Sequence, residues 1–178
     1  MKFFETIDAE TRKRNLRFLV IGGLAVNLYG YSRDTADLDL LICAERREQW
    51  LDLFSQLGYA IYQDGGNFIQ LSSEKHAAWP VDLMLVQEGT FATMFAAGHE
   101  EDLYGTRSRI PSLEHLIALK LHALKNGRFE RFLKDFLDTE NLILVNGLDI
   151  KSENMRQLFA KYGTMELYDK VSRSLAVK

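Results

Sequence analysis

Two aspartates, Asp37 and Asp39, bracket a leucine in the stretch TADLDLLIC. Side chains alternate along a strand, so both carboxylates share one face while Leu38 and Leu40 take the other. Carboxylates side by side repel, which raises the cost of ionising both. A divalent cation is the simplest offset, because Mg²⁺ takes oxygen ligands and combines a few carboxylates with substrate phosphates. An isolated Asp-x-Asp equally suits a solvated strand face at a sheet edge. A third acid, Asp82, lies in PVDLMLV. Charged residues rarely occupy such apolar runs unless they are paired or bound to metal. If the two segments are neighbouring strands, three carboxylates converge.

Upstream, an apolar run over residues 17–21 ends at Gly22-Gly23. A glycine pair between a strand and a helix bares backbone N–H groups that can meet a phosphate, and it also suits a plain tight turn. Together the acids and the glycines describe a site for a metal-bound nucleoside triphosphate. Other chemistries lack support. His76, His99, His115 and His122 have no metal-ligand spacing with one another or with Cys43. There is no P-loop and no dinucleotide-binding glycine motif. The Phe and Tyr residues fall at core spacing rather than as a stacking platform for bases.

The elements that must position these groups read as follows. A polar helix precedes a strand at 17–21, a short helix covers 24–28 and a strand covers 37–43. Trp50, Leu51, Phe54 and Leu57 recur at helical spacing before Gly58, a stop signal. YAIYQ and FIQLSS, joined by DGGN, form a hairpin signal. Residues 81–86 read as a buried strand and 90–97 as a short helix. At Pro111 the character changes: Leu113, Leu116, Ile117, Leu121 and Leu124 follow at helical intervals, Asn126-Gly127 breaks the helix, and helical patterns cover 129–144, 152–161 and 165–175. The layout predicts an α+β chain with an α/β-like head over residues 1–110 and a helical region over 111–178.

The composition is that of a globular chain: 178 residues, 47% hydrophobic and 26% charged. A lone Cys43 excludes an internal disulfide and fits a reducing cytoplasm. The N-terminus is too charged for a signal peptide, and no apolar run approaches membrane-spanning length. These features predict a cytoplasmic protein with no membrane partner. Net charge is −3, without the basic signature of a nucleic-acid binder. Residues 1–110 hold 11 Lys and Arg against 16 Asp and Glu, and residues 111–178 hold 11 against 9. That asymmetry fits a metal-binding half and a phosphate-binding half, or ordinary surface variation.

The head resembles the nucleotidyltransferase superfamily of the DNA polymerase β type, in which an apolar strand, Gly-Gly or Gly-Ser, an Asp-x-Asp and a later strand acid recur. Here these are Gly22-Gly23, thirteen intervening residues, Asp37-Leu38-Asp39, and Asp82. GGLAVNLYGYSRDTADLDLLI is similar to the bacterial AbiEii-like and related nucleotidyltransferases, which carry an Arg-x-Thr-x-Asp-x-Asp, here Arg33 to Asp39. The likeness continues through a lysine-bearing helix (Lys120), Arg128 or Arg131, Lys134-Asp135 and Asp138, covering about residues 17–145.

The resemblance implies a mixed sheet flanked by helices and followed by a helical region. It implies a transferase that moves a nucleoside monophosphate from a triphosphate to a hydroxyl. Asp37 and Asp39 would hold one or two Mg²⁺ ions, with Mn²⁺ a substitute. Asp82 would complete the second site and help remove the proton of the attacking hydroxyl. Gly22 and Gly23 would contact the triphosphate, with Arg33, Thr35, Lys120 and Lys134 as further nucleotide-binding groups. Gly23 replaces the serine of many relatives and removes one hydroxyl contact to phosphate. Arg33 equally suits an ion pair with Asp34, Lys120 a snorkelling role, and Lys134 a pair with Asp138. Replacing Lys120 by alanine is expected to weaken nucleotide binding and spare the fold. The implied acceptor is tRNA, with the protein a toxin and an antitoxin as partner, or a small molecule such as an aminoglycoside- or lincosamide-like antibiotic. A non-catalytic nucleotide-binding protein is the alternative from another class.

Overall fold

The computed structural model describes residues 2–74, 79–127 and 129–177; His76 and Arg128 lie outside them. Residues 1–25 with 33–112 form one compact unit, and residues 26–32 with 113–178 form another.

In the first unit, helix α1 (Lys2–Lys13) precedes strand β1 (Phe18–Val20), and helix α2 (Gly22–Leu28) starts directly after it. Strand β2 (Leu38–Cys43) passes through a 3₁₀ turn (Ala44–Arg46) into α3 (Arg47–Gln56). That helix buries Trp50 and Phe54, as its spacing calls for, and Leu53 instead of Leu51, which is half-buried; Leu57 lies just past its end, and Gly58 leaves it with φ +85°. Strands β3 (Ala60–Asp64) and β4 (Phe68–Ser72) make the expected hairpin. Strand β5 (Val81–Val86) and helix α4 (Glu88–Ala97) follow.

The five strands form a mixed sheet in the order β1-β2-β5-β4-β3. Only β2 and β5 are parallel among these pairs; the others run antiparallel. All six residues of β2 are buried. The strand is therefore interior and covered on both faces, which overturns the reading of Asp-x-Asp as a solvated sheet edge. The strand also starts at Leu38, so Asp37 leads into it instead of belonging to it.

A second, two-stranded sheet pairs β6 (His99–Leu103) with β7 (Thr106–Ile110). No strand is expected there, because HEEDL and TRSRI hold charges at most exposed positions. Their buried face in β7 uses Thr106 and Ser108 beside Ile110, so the period of two is present without the apolar residues that make it visible. Tyr104 and Gly105 close the hairpin with φ of +54° and +83°, the sense of turn that suits the twist of paired strands.

The second unit is helical: α5 (Leu113–Asn126), α6 (Phe129–Val145), α7 (Glu153–Tyr162) and α8 (Met165–Leu175). Leu116, Ile117, Leu121, Leu142, Ile143, Leu158, Phe159 and Val171 are buried in it. Ser152 Oγ accepts from Met155 N and Thr164 Oγ1 from Leu167 N, so α7 and α8 begin on side-chain caps. Residues 26–32 carry the end of α2 into this unit, where Asn146 Nδ2 donates to the carbonyl of Tyr29 at 3.1 Å. No helix among the described residues is long and apolar enough to cross a membrane.

Candidate active site

The parallel pairing of β2 with β5 sets Asp39 directly beside Asp82. Leu38 N–H donates to the carbonyl of Pro80 at 2.9 Å, which fixes the register where the two strands begin. Both aspartates are buried, at 7% and 5% exposure. Asp37, half-buried, arrives from the preceding loop, and one carboxylate oxygen from each of the three lies within 4.8 Å of the others. Three like charges so close, two of them withdrawn from water, are costly without an offsetting cation. The donor set is all carboxylate oxygen, which suits Mg²⁺ or Mn²⁺, and its spread suits one or two ions. The residues present therefore fit the divalent metal implied by the resemblance.

Gly22 abuts Asp39. Its φ is +62°, and a Cβ there would come 1.8 Å from Asp39 Oδ2. Ile21 N–H donates to the backbone carbonyl of Asp39 at 2.9 Å. The corner between β1 and α2 is thereby tied to the second aspartate, and only glycine permits the approach. Gly23 is hemmed in likewise: a Cβ would meet Thr35 Oγ1 at 2.5 Å and Arg33 Nη1 at 2.9 Å. Thus the loop before the acids brings a threonine hydroxyl beside Gly23.

Thr35 Oγ1 donates to Asp37 Oδ1 at 2.8 Å. Arg33 Nη1 donates to the backbone carbonyl of Asp34 at 3.0 Å, where a carboxylate pair is the sequence alternative. A residue without a sequence signal joins the site from β4: Gln70 Nε2 donates to Asp82 Oδ1 at 3.2 Å and Oδ2 at 3.4 Å.

The lysines lie in the helical unit. Lys120 is 6% exposed and does not snorkel; its Nζ is 2.8 Å from Asp135 Oδ1 and 2.7 Å from Asp138 Oδ2. Lys134 is half-buried. A buried lysine shared by two buried carboxylates is a structural element of its own, so Lys120→Ala should destabilise the helical unit.

A second group with metal-ligand donors, Cys43, Glu45 and Glu88, gathers at the far end of β2. Burial, then hydrogen bonds to Glu45 and Glu88, push the Cys43 thiol up to about 12. Without a metal it is a protonated thiol that donates to Glu45 Oε2 and Glu88 Oε2, each at 2.8 Å.

No protein-family model matches this chain, and no curated protein does. Solved structures do. ANT(2″)-Ia, in complex with adenylyl-2″-tobramycin, is 18% identical with a TM-score of 0.67, over 90% of this chain and 95% of its own. An antigenic nucleotidyltransferase-like protein from Paracoccidioides brasiliensis is 16% identical with a TM-score of 0.59, over 99% and 92%. The lincosamide antibiotic adenylyltransferase LnuA, with lincomycin bound, is 16% identical with a TM-score of 0.57, over 80% and 95%. At such identities the likeness is one of fold. The chain has the nucleotidyltransferase fold, a mixed sheet with flanking helices and a helical C-terminal region, as the head motif predicts.

Proposed function

We propose that this protein transfers a nucleoside monophosphate from a triphosphate to a hydroxyl of a small-molecule acceptor and releases pyrophosphate. The observation that carries the reading is the in-register pairing of Asp39 with Asp82, with Asp37 beside them and Gly22 packed on Asp39. Asp37, Asp39 and Asp82 would hold divalent metal. When bound, the metal neutralises triphosphate charge and acidifies the attacking hydroxyl.

The chain's own groups account for the rest. The acceptor oxygen forms a bond to the α-phosphorus as the bond to the pyrophosphate oxygen breaks, and the hydroxyl proton passes to Asp82. Gly22 and Gly23 offer backbone N–H groups to the triphosphate at the start of α2, with Arg33 alongside. Thr35 keeps Asp37 turned toward the other acids. Burial of Asp39 and Asp82 keeps water from the carboxylates that meet the substrate.

A small acceptor is favoured over tRNA on two grounds. ANT(2″)-Ia, in complex with adenylyl-2″-tobramycin, and LnuA, with lincomycin bound, match this chain over nearly their whole length. A net charge of −3 also gives a polyanion no overall attraction and a cationic small molecule some. The test is incubation with each α-³²P-labelled triphosphate, Mg²⁺, and either a panel of aminoglycosides and lincosamides or total tRNA. Label on a small molecule, absent with Asp39→Asn, is the expected result. Label on tRNA instead overturns the acceptor, and no label in any mixture overturns the activity.

A further inference from the structure

We propose that Gln70 is a positioning residue for the carboxylate trio, holding Asp82 in the orientation in which the three acids can take a divalent cation together. The inference rests on the proposed reading of that site and adds a residue to it. Gln70 and Asp82 are cross-strand partners in the β4–β5 pair, and Asp82 is in register with Asp39 on its other side. One face of three adjacent strands therefore carries a row of carboxylate, carboxylate and amide. Strand pairing fixes where the Asp82 backbone lies but not where its carboxylate points. Repulsion from Asp37 and Asp39 drives that carboxylate away from them. Gln70, on the opposite side of Asp82 from Asp39, sets where that turn stops: its Nε2 contacts both oxygens, at 3.2 and 3.4 Å, and holds the carboxylate in one orientation.

The chemistry of the donor matters. An amide offers N–H groups to an anion while adding no charge. Lysine or arginine in its place would neutralise Asp82 and compete with a cation for the same oxygens. A neutral donor leaves the charge of the trio at the level that attracts a divalent ion, and supporting contacts of this kind tune metal affinity in known metal sites. Asp82 is 5% exposed, so little solvent stands ready to replace a lost donor.

The test is Mn²⁺ binding to the full-length protein, followed by the electron paramagnetic resonance signal of free Mn²⁺ in the absence of nucleotide. Gln70→Leu keeps side-chain bulk and removes the donor; Gln70→Thr, well suited to a strand and too short to reach Asp82, is read in parallel in case the first fails to fold. Both should bind Mn²⁺ about tenfold more weakly than the parent. Gln70→His, titrated at pH 8 so that the imidazole is kept neutral and still offers an N–H, should recover most of the loss. In an Asp82→Asn background, Gln70→Leu should cause no further loss. Parent-like binding by Gln70→Leu or Gln70→Thr, with binding weakened by Asp82→Asn, overturns the role of Gln70 and leaves the proposed function standing. A loss that Gln70→His does not restore, or that persists in the Asp82→Asn background, also overturns it. Parent binding that is insensitive to Asp82→Asn overturns both readings.

Discussion

A methyl group on Gly22 would come to rest 1.8 Å from Oδ2 of Asp39, at a backbone φ of +62°. The strand-to-helix corner and the second aspartate therefore share one space. Gly22→Ala should be destabilised by about 1–2 kcal/mol for the left-handed backbone, with a further cost from displacing a buried carboxylate. It should also lose Mn²⁺ binding. Gly66→Ala is the control, with φ +82° and nothing within 4 Å of the added carbon. It should show the backbone cost alone and bind Mn²⁺ as the parent does. Urea denaturation and Mn²⁺ titration of both variants check the contrast.

Metal should stabilise the folded protein through the acids. A ligand that binds only the folded state adds RT ln(1 + [L]/Kd), about 2.7 kcal/mol at one hundred times Kd. Melting curves of the parent should therefore rise with Mg²⁺ or Mn²⁺, and rise further when triphosphate is added. In the Asp37→Asn, Asp39→Asn double variant the metal-free protein should melt at the same or a higher temperature, because repulsion among the three carboxylates is relieved. The metal-linked rise should vanish. A much lower metal-free melting temperature would make these aspartates structural.

Lys120 is the counter-ion of Asp135 and Asp138 inside the helical unit. Removing it by Lys120→Ala takes this cation from two buried carboxylates and should cost about 3–5 kcal/mol. Weakened nucleotide binding in that variant is therefore no sign of direct contact with phosphate. The triple change Lys120→Met, Asp135→Asn, Asp138→Asn removes the buried charges together and should recover most of the stability in urea denaturation.

Cys43 should be unreactive in the folded state. Its thiol is pushed up to about 12, chiefly by burial, with Glu45 and Glu88 adding to the rise. Raising the pKa of a thiol disfavours the thiolate, which is the nucleophile, so at pH 8 the native protein should react with a disulfide reagent far more slowly than the guanidinium-unfolded chain. Equal rates would place the thiol in open solvent.

Much of the head was legible because the signals are local. An acid inside an apolar run declares a strand with one costly face, and Asp39 and Asp82 are two such acids. Gly22-Gly23 after an apolar stretch marks the corner that approaches them. The helical stripes at Trp50–Phe54 and Leu113–Leu121 follow from period alone. The β6–β7 hairpin carries no such signal, because Thr106 and Ser108, not aliphatic residues, fill inward positions of β7.

What the tertiary structure decided are the partnerships. The hydroxyl of Thr35 donates to Asp37, and Lys120 is buried against Asp135 and Asp138 instead of snorkelling to water. Gln70 is an ordinary polar residue in a hairpin strand until β4 pairs with β5 and sets it against Asp82, twelve positions away. Alternation along one segment tells which face a side chain takes, because that depends on the backbone of the segment itself. Which neighbour it meets depends on the register between segments, and that is set by how the buried side chains of all the strands and helices pack at once.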